Sequence, residues 1–258
     1  MSEALSRWFN TTFLGRCWQR YQDYVQYCLT SGNIPATQPW LIYPSRMLMG
    51  LWQWLQVGRV RVIGAKHLRT PGRVIFCCNH SSLLDAIVMH PLMKRNVRFM
   101  GAYEAMQGYG GLKAILMCAI GCFPVDRKNG RTVLGPATDL LTNGEPLFIC
   151  PEGRVDNTGT LGEFKPGAAL IARAAYRKLQ GKEKVGIVPI HICYHKRNVK
   201  TGDTWNFFKM GFTWRGGATV HVCEPVWIND NPQLGACEFM ELVRSKIAQF
   251  SCTCSVSV

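Results

Sequence analysis

The chain has 258 residues, enough for one large α/β domain or two small ones, and 47% of them are apolar, ample for a core. Its formal net charge of +14 calls for an anionic partner. No helix-turn-helix, zinc-finger or RNA-recognition signature occurs, so that partner is expected to be a lipid surface and not nucleic acid.

Residues 3–29 are expected to form an amphipathic helix. Leu5, Trp8, Thr12 or Phe13, Cys17, Tyr21, Tyr24 and Cys28 recur at helical spacing, with Arg7, Arg16 and Arg20 among them. A turn follows at Ser31-Gly32-Asn33-Ile34-Pro35. A second helix is predicted over residues 45–56, with Leu48, Leu51, Trp52 and Leu55 on one face. Between Met1 and Arg73 nine Lys/Arg stand against two Asp/Glu. Trp and Tyr favour the headgroup zone, and each arginine near an anionic surface is worth about 1 kcal/mol. Residues 1–58 are therefore the candidate membrane-docking element, although the same apolar faces would equally serve to pack on a core. Residues 59–258 form the catalytic α/β domain of this scheme. The longest apolar stretches, 47–55 and 114–125, fall far short of the about 20 residues a membrane span takes. The expected association is peripheral, on the cytoplasmic side of a membrane.

From Val60 onward strand and helix patterns alternate. Strands are predicted at 60–63, 74–78, 97–100, 122–125, 147–150, 185–192 and 219–223; helices at 83–94, 103–119, 132–142, 167–179 and 235–250. Apolar strands with helical crossovers define an α/β fold: a largely parallel mixed sheet covered by helices on both faces, preceded by the N-terminal amphipathic two-helix element. In such sheets the active site lies beyond the carboxyl ends of strands. His80, Arg127 and Glu152 each follow a predicted strand, so the pattern gathers them at one edge.

Asn79-His80-Ser81-Ser82-Leu83-Leu84-Asp85 is the most informative stretch. It puts a histidine and an aspartate five residues apart, directly after the apolar run Val74 to Cys78. Ser81 or Ser82 is the expected helix cap. His80 is then at the strand-to-helix corner, with Asp85 about one turn into the helix, where a carboxylate orients an imidazole as a general base requires.

Asn79 to Asp85 fits the N-H-x4-D motif of the glycerolipid acyltransferases, the family that contains 1-acylglycerol-3-phosphate acyltransferase. Further blocks follow in that family's order. Gly121-Cys122-Phe123-Pro124-Val125-Asp126-Arg127 resembles its second motif, and Pro151-Glu152-Gly153-Arg154 its third. Phe164-Lys165-Pro166-Gly167 resembles the tract after it, and Val188-Pro189-Ile190 the fourth. The resemblance covers about residues 60 to 225. It implies acyl transfer from acyl-CoA or acyl carrier protein to a lysophospholipid hydroxyl, most readily that of 1-acylglycerol-3-phosphate, with no cofactor. It also implies His80 as base, Asp85 as its orienting acid, and Arg127, Glu152, Gly153, Arg154 and Lys165 on the acceptor side. The usual third block is E-G-T-R-S; here the arginine is one place closer and the serine is missing, which leaves the headgroup open. Another lysophospholipid, or a lysolipid without glycerol, remains an alternative acceptor. A basic lipid- or nucleic-acid-binding protein is the non-enzyme alternative.

No metal site is expected. His80, Asp85 and His90 are equally spaced, but five-residue steps do not share a helix face. The twelve cysteines contain no C-x2-C pair, and Met1 to Asn10 does not read as a signal peptide. The thiols are accordingly expected to be reduced and intracellular. His67, His191, His195 and His221 are expected to be structural.

Overall fold

The computed structural model describes residues 12–106, 112–155, 160–195 and 216–250. In chain order the elements are α1 (Phe13–Ser31), α2 (Pro39–Gln56), β1 (Val60–Ile63), a 3-10 turn (Ala65–Arg69), β2 (Arg73–Cys78), α3 (Asp85–Leu92), β3 (Arg98–Ala102), α4 (Tyr103–Met106), α5 (Leu112–Ala119), β4 (Cys122–Val125), α6 (Leu134–Thr142), β5 (Leu147–Ile149), α7 (Gly167–Lys178), β6 (Val185–Tyr194), β7 (Ala218–Val222), β8 (Val226–Trp227) and α8 (Ala236–Ala248).

One eight-stranded sheet runs in the order β1-β7-β6-β2-β5-β3-β4, and β8 adds to β6 beside β7. Five of the seven described pairings are parallel; β7 and β8 run antiparallel to β6. The central strands are largely apolar, as burial on both faces requires: every residue of Val74 to Cys78 is inaccessible. Side chains alternate across the sheet. Ile75 and Cys77 join Ala137, Leu141, Ala172 and Phe239 from α6, α7 and α8 on one face. Val74, Phe76 and Cys78 join Leu84, Val88 and Met89 from α3 on the other. β8 escapes the sequence reading because two residues carry no period. It sits tight on β6: a Cβ on Gly186 would fall 2.6 Å from the Val226 carbonyl oxygen.

The N-terminal helices are locked to the body. On α1 Tyr21 and Val25 pack against Ile115 and Cys118 of α5, and Cys28 is buried; Cys17, expected on that face, is exposed. The portion of the predicted first helix before residue 12 lies outside the described residues. The second helix starts at Pro39, six residues earlier than the pattern indicated, and runs through Pro44. Tertiary contacts hold that first turn: Gln38 N–H donates to the Ala119 carbonyl at 2.8 Å, and Ile42 is buried. The linker between the helices accepts a hydrogen bond on its Pro35 carbonyl from the buried Arg98 guanidinium. The helix predicted over 103–119 is two elements, α4 and α5, with residues 107–111 between them not described. Among the described residues, Cys193 departs from the expectation of reduced thiols. It is disulfide-bonded, whereas Cys77, Cys78, Cys118, Cys122 and Cys150 are free.

Candidate active site

The strands β2, β5, β3 and β4 are parallel neighbours, so their carboxyl ends share one edge, and the first three motif blocks begin or end there, while the fourth lies inside β6. Where β2 ends, Asn79 continues the ladder with its side chain. Its Oδ1 accepts the Ile192 N–H at 2.7 Å, and its Nδ2 donates to the Ile192 carbonyl at 3.1 Å and to Ser81 Oγ at 2.8 Å.

His80 follows, with its ring 19% exposed, and Asp85 is only 1% exposed. The His80 Nδ1 and Asp85 Oδ2 atoms are 3.0 Å apart. Asp85 opens α3 as its first residue; it does not lie a turn inside. Neither serine side chain caps the helix from the N-cap position, which is Leu84. Instead Ser82 Oγ accepts the Leu84 N–H at 3.1 Å, and Asp85 Oδ2 accepts the Ser82 N–H at 3.0 Å. The carboxylate thus ties back to the turn that precedes its helix and faces the ring at once. At the N-terminus the helix dipole also favours its negative charge. Oδ1 accepts the Tyr194 hydroxyl at 2.8 Å from the end of β6.

The electrostatics follow from this enclosure. Burial works against the His80 imidazolium, but Cys150 beside the ring and the Asp85 carboxylate outweigh it, so His80 is held above its ordinary value of 6.5. Burial also pushes the Cys150 thiol up, which keeps it neutral at pH 7. Asp85 is therefore the charge that favours the protonated ring.

Glu152 has a role the sequence did not disclose. Its Oε1 accepts the backbone N–H of His80 at 2.7 Å and its Oε2 that of Gly162 at 3.1 Å, in a position 8% exposed. The carboxylate bridges two loops across the mouth of the site. Gly153 after it adopts φ +72°, a conformation that favours glycine. Lys165 Nζ lies 3.0 Å from where a Cβ on Gly153 would stand, so this lysine arches over the 151–153 turn. Arg154 is exposed. Arg127, two residues beyond β4, is exposed and has no hydrogen-bonding or ion-pair partner among the described residues. β4 stands three places from β2, about 14 Å across at a strand spacing of about 4.8 Å.

Of the residues singled out from sequence, His80, Asp85 and Glu152 are directly linked, and Gly153 and Lys165 are in contact with each other. Asn79, Cys150 and Tyr194 were not singled out. Tyr194 had a signal in the sequence, as a tyrosine ending the apolar strand at this same edge. His90 turns away, with Nε2 2.9 Å from Ser45 Oγ of α2; burial and then Arg46 lower it to about 4. No group of three metal-binding side chains occurs among the described residues.

A hydrogen-bonded imidazole and buried carboxylate at the carboxyl edge of a largely parallel sheet define a site suited to proton transfer. Residues 59–193 match the Acyltransferase family model, and the chain belongs to that family. It is 27% identical, over 176 residues, to a protein of Mycoplasma genitalium described as a probable 1-acyl-sn-glycerol-3-phosphate acyltransferase. That match takes in 64% of this chain and 62% of the relative's length. The fold is that of PlsC from Thermotoga maritima, solved as a 1-acyl-sn-glycerophosphate (LPA) acyltransferase. The TM-score is 0.64 at 17% identity, over 91% of this chain and 95% of that one.

Proposed function

We propose that this acyltransferase moves a fatty acyl group from acyl-CoA or acyl carrier protein to the hydroxyl of a lysophospholipid, most readily 1-acylglycerol-3-phosphate, giving phosphatidic acid. The observation that carries the reading is the 3.0 Å contact of His80 with an almost inaccessible Asp85. An alcohol is a poor nucleophile near neutral pH and needs a base as it attacks. His80 takes the hydroxyl proton while the oxygen adds to the thioester carbonyl. Asp85 holds the ring tautomer and stabilises the imidazolium. The tetrahedral adduct then expels the thiolate, whose pKa near 8.5 makes it a good leaving group. The acceptor hydroxyl occupies the place an enzyme serine takes in a triad, so no acyl-enzyme is needed. Arg127 receives the acceptor phosphate by paired guanidinium hydrogen bonds. Its unpaired, exposed state at the same edge supports that role.

The enzyme works at a membrane surface. On α2, Trp40, Tyr43, Met47, Leu51 and Trp54 recur at helical spacing and are all more than half exposed, while Ile42 and Ser45 are buried behind them. No described helix is long and apolar enough to cross a bilayer. Residues 1–58 thus act as a docking element attached to the catalytic unit. A different lysophospholipid headgroup is the second reading, favoured by Arg154 standing directly after the left-handed Gly153.

Radiolabelled acyl-CoA offered with a panel of lysolipids tests both readings. Labelled phosphatidic acid is expected with 1-acylglycerol-3-phosphate and none from the His80→Ala protein. Product that persists in that variant overturns the base; preference for another headgroup selects the second reading.

A further inference from the structure

We propose that Tyr194 is a positioning residue of this site, whose hydroxyl fixes the Asp85 carboxylate so that Oδ2 alone faces the His80 ring. The proposal rests on the general-base reading above.

Tyr194 is the last residue of β6. Alternation puts it on the face of Ile190 and Ile192, the face that α3 covers. In register, Cys78 at the end of β2 stands opposite Ile190, so β6 runs on past β2 by four residues. The tyrosine ring therefore reaches over the turn that carries His80, and its hydroxyl meets Asp85 Oδ1 at 2.8 Å.

An aspartate side chain has a broad, roughly two-fold well at its terminal torsion. Held only by His80 and Ser82, both on Oδ2, the group would be free to rock about that oxygen. A third donor on Oδ1 removes this freedom, and an O–H···O⁻ bond shielded from water is the strong kind. Burial and then Asp85 hold the Tyr194 phenol well above its ordinary value, so it remains a donor throughout the working range. The ionisable groups around Asp85 and His80 are Tyr194 and His191 from β6, Cys78 from β2, and Cys150 and Glu152 from the segment after β5. Of the hydroxyls and thiols among them, Tyr194 is the one that donates to Asp85 at hydrogen-bond distance. By drawing charge from the carboxylate, the hydroxyl also tempers its pull on the His80 proton.

Tyr194→Phe removes one oxygen and keeps the ring. We expect kcat to fall about tenfold with the acceptor KM within about twofold, an orientation effect. The acid limb of the pH–rate profile should move to higher pH by about half a unit or more, because a carboxylate that loses a donor pulls harder on the imidazolium. In an Asp85→Asn background the same substitution should cost less than about twofold, since the two side chains act as one unit. An equal loss in both backgrounds, or an unmoved limb, overturns the proposal. ¹⁵N-imidazole titration of His80 reads the link without any turnover. A higher midpoint in Tyr194→Phe supports it, and an unchanged midpoint overturns it. Should His80→Ala remain active while that midpoint moves, the general-base reading fails and the Tyr194 link stands.

Discussion

Glu152 reaches His80 through the backbone, not the ring: Oε1 accepts the His80 N–H at 2.7 Å. The glutamate of the third block is therefore a brace for the loop that carries His80, and its other oxygen ties down Gly162. Glu152→Ala leaves two amides without their acceptor, at a cost of about 2 kcal/mol. Thermal unfolding should register a loss of about 5 °C. Turnover should fall while the acceptor KM stays within about twofold. Glu152→Gln keeps one carbonyl acceptor and should lose about half as much stability.

On the proposed mechanism His80 sets the acidic limb of the pH–rate profile, with the neutral ring as the reactive form. Asp85 favours the protonated ring, which sits above its ordinary value. kcat/KM is thus expected to rise with pH through neutrality. Asp85→Asn removes the charge that favours the imidazolium, so the limb must move to lower pH, while the plateau falls about 10³-fold for want of a fixed tautomer. Profiles of the two proteins between pH 5 and 9, with circular dichroism to verify folding, check both parts. A limb that moves upward contradicts the assignment.

Arg127→Ala should raise the KM for 1-acylglycerol-3-phosphate about tenfold or more and leave the acyl-donor KM within about twofold. Steady-state kinetics with each substrate varied in turn is the measurement. An unchanged acceptor KM rejects a phosphate contact at this residue.

Docking by α2 is best tested at its surface. Its inner side packs on α3, with Ser45 bonded to His90 and Gly50 against Pro91, so deletion of residues 1–58 would uncover core as well as the outer face. Trp40→Ser with Met47→Ser and Leu51→Ser alters only exposed positions. Sedimentation with anionic vesicles should fall about tenfold or more, as loss of three apolar side chains at about 25 cal/mol per Å2 requires. Thermal stability should stay within about 2 °C. Undiminished sedimentation removes the role.

The strand–helix alternation was legible because the central strands are short, largely apolar runs and each covering helix has its own period. The edge that gathers His80 and Glu152 followed from each standing directly after a predicted strand of a largely parallel sheet. Three things were hidden, each for a physical reason. The bond from Asp85 back to the Ser82 N–H was masked by two nearby serines, the more usual helix caps. Glu152 bonds to backbone amides, which leave no mark in the residue types. Tyr194 lies 109 positions beyond Asp85, and only the pairing of β6 with β2 brings them together. The outward face of α2 was foreshadowed by Leu48 and Leu51, while its start at Pro39 was obscured by Pro44.

Asn79 mimics a peptide group, and this changes what the next residue is free to do. Because its carboxamide supplies the rung to Ile192, the main chain departs from the sheet one step early with no gap in the hydrogen-bond ladder. The histidine amide is released from any strand partner and becomes available to a carboxylate from another loop. The first letter of the motif is thus masonry: it turns a flat strand end into a rigid corner, from which the His80 ring projects without its backbone ever leaving a fixed frame.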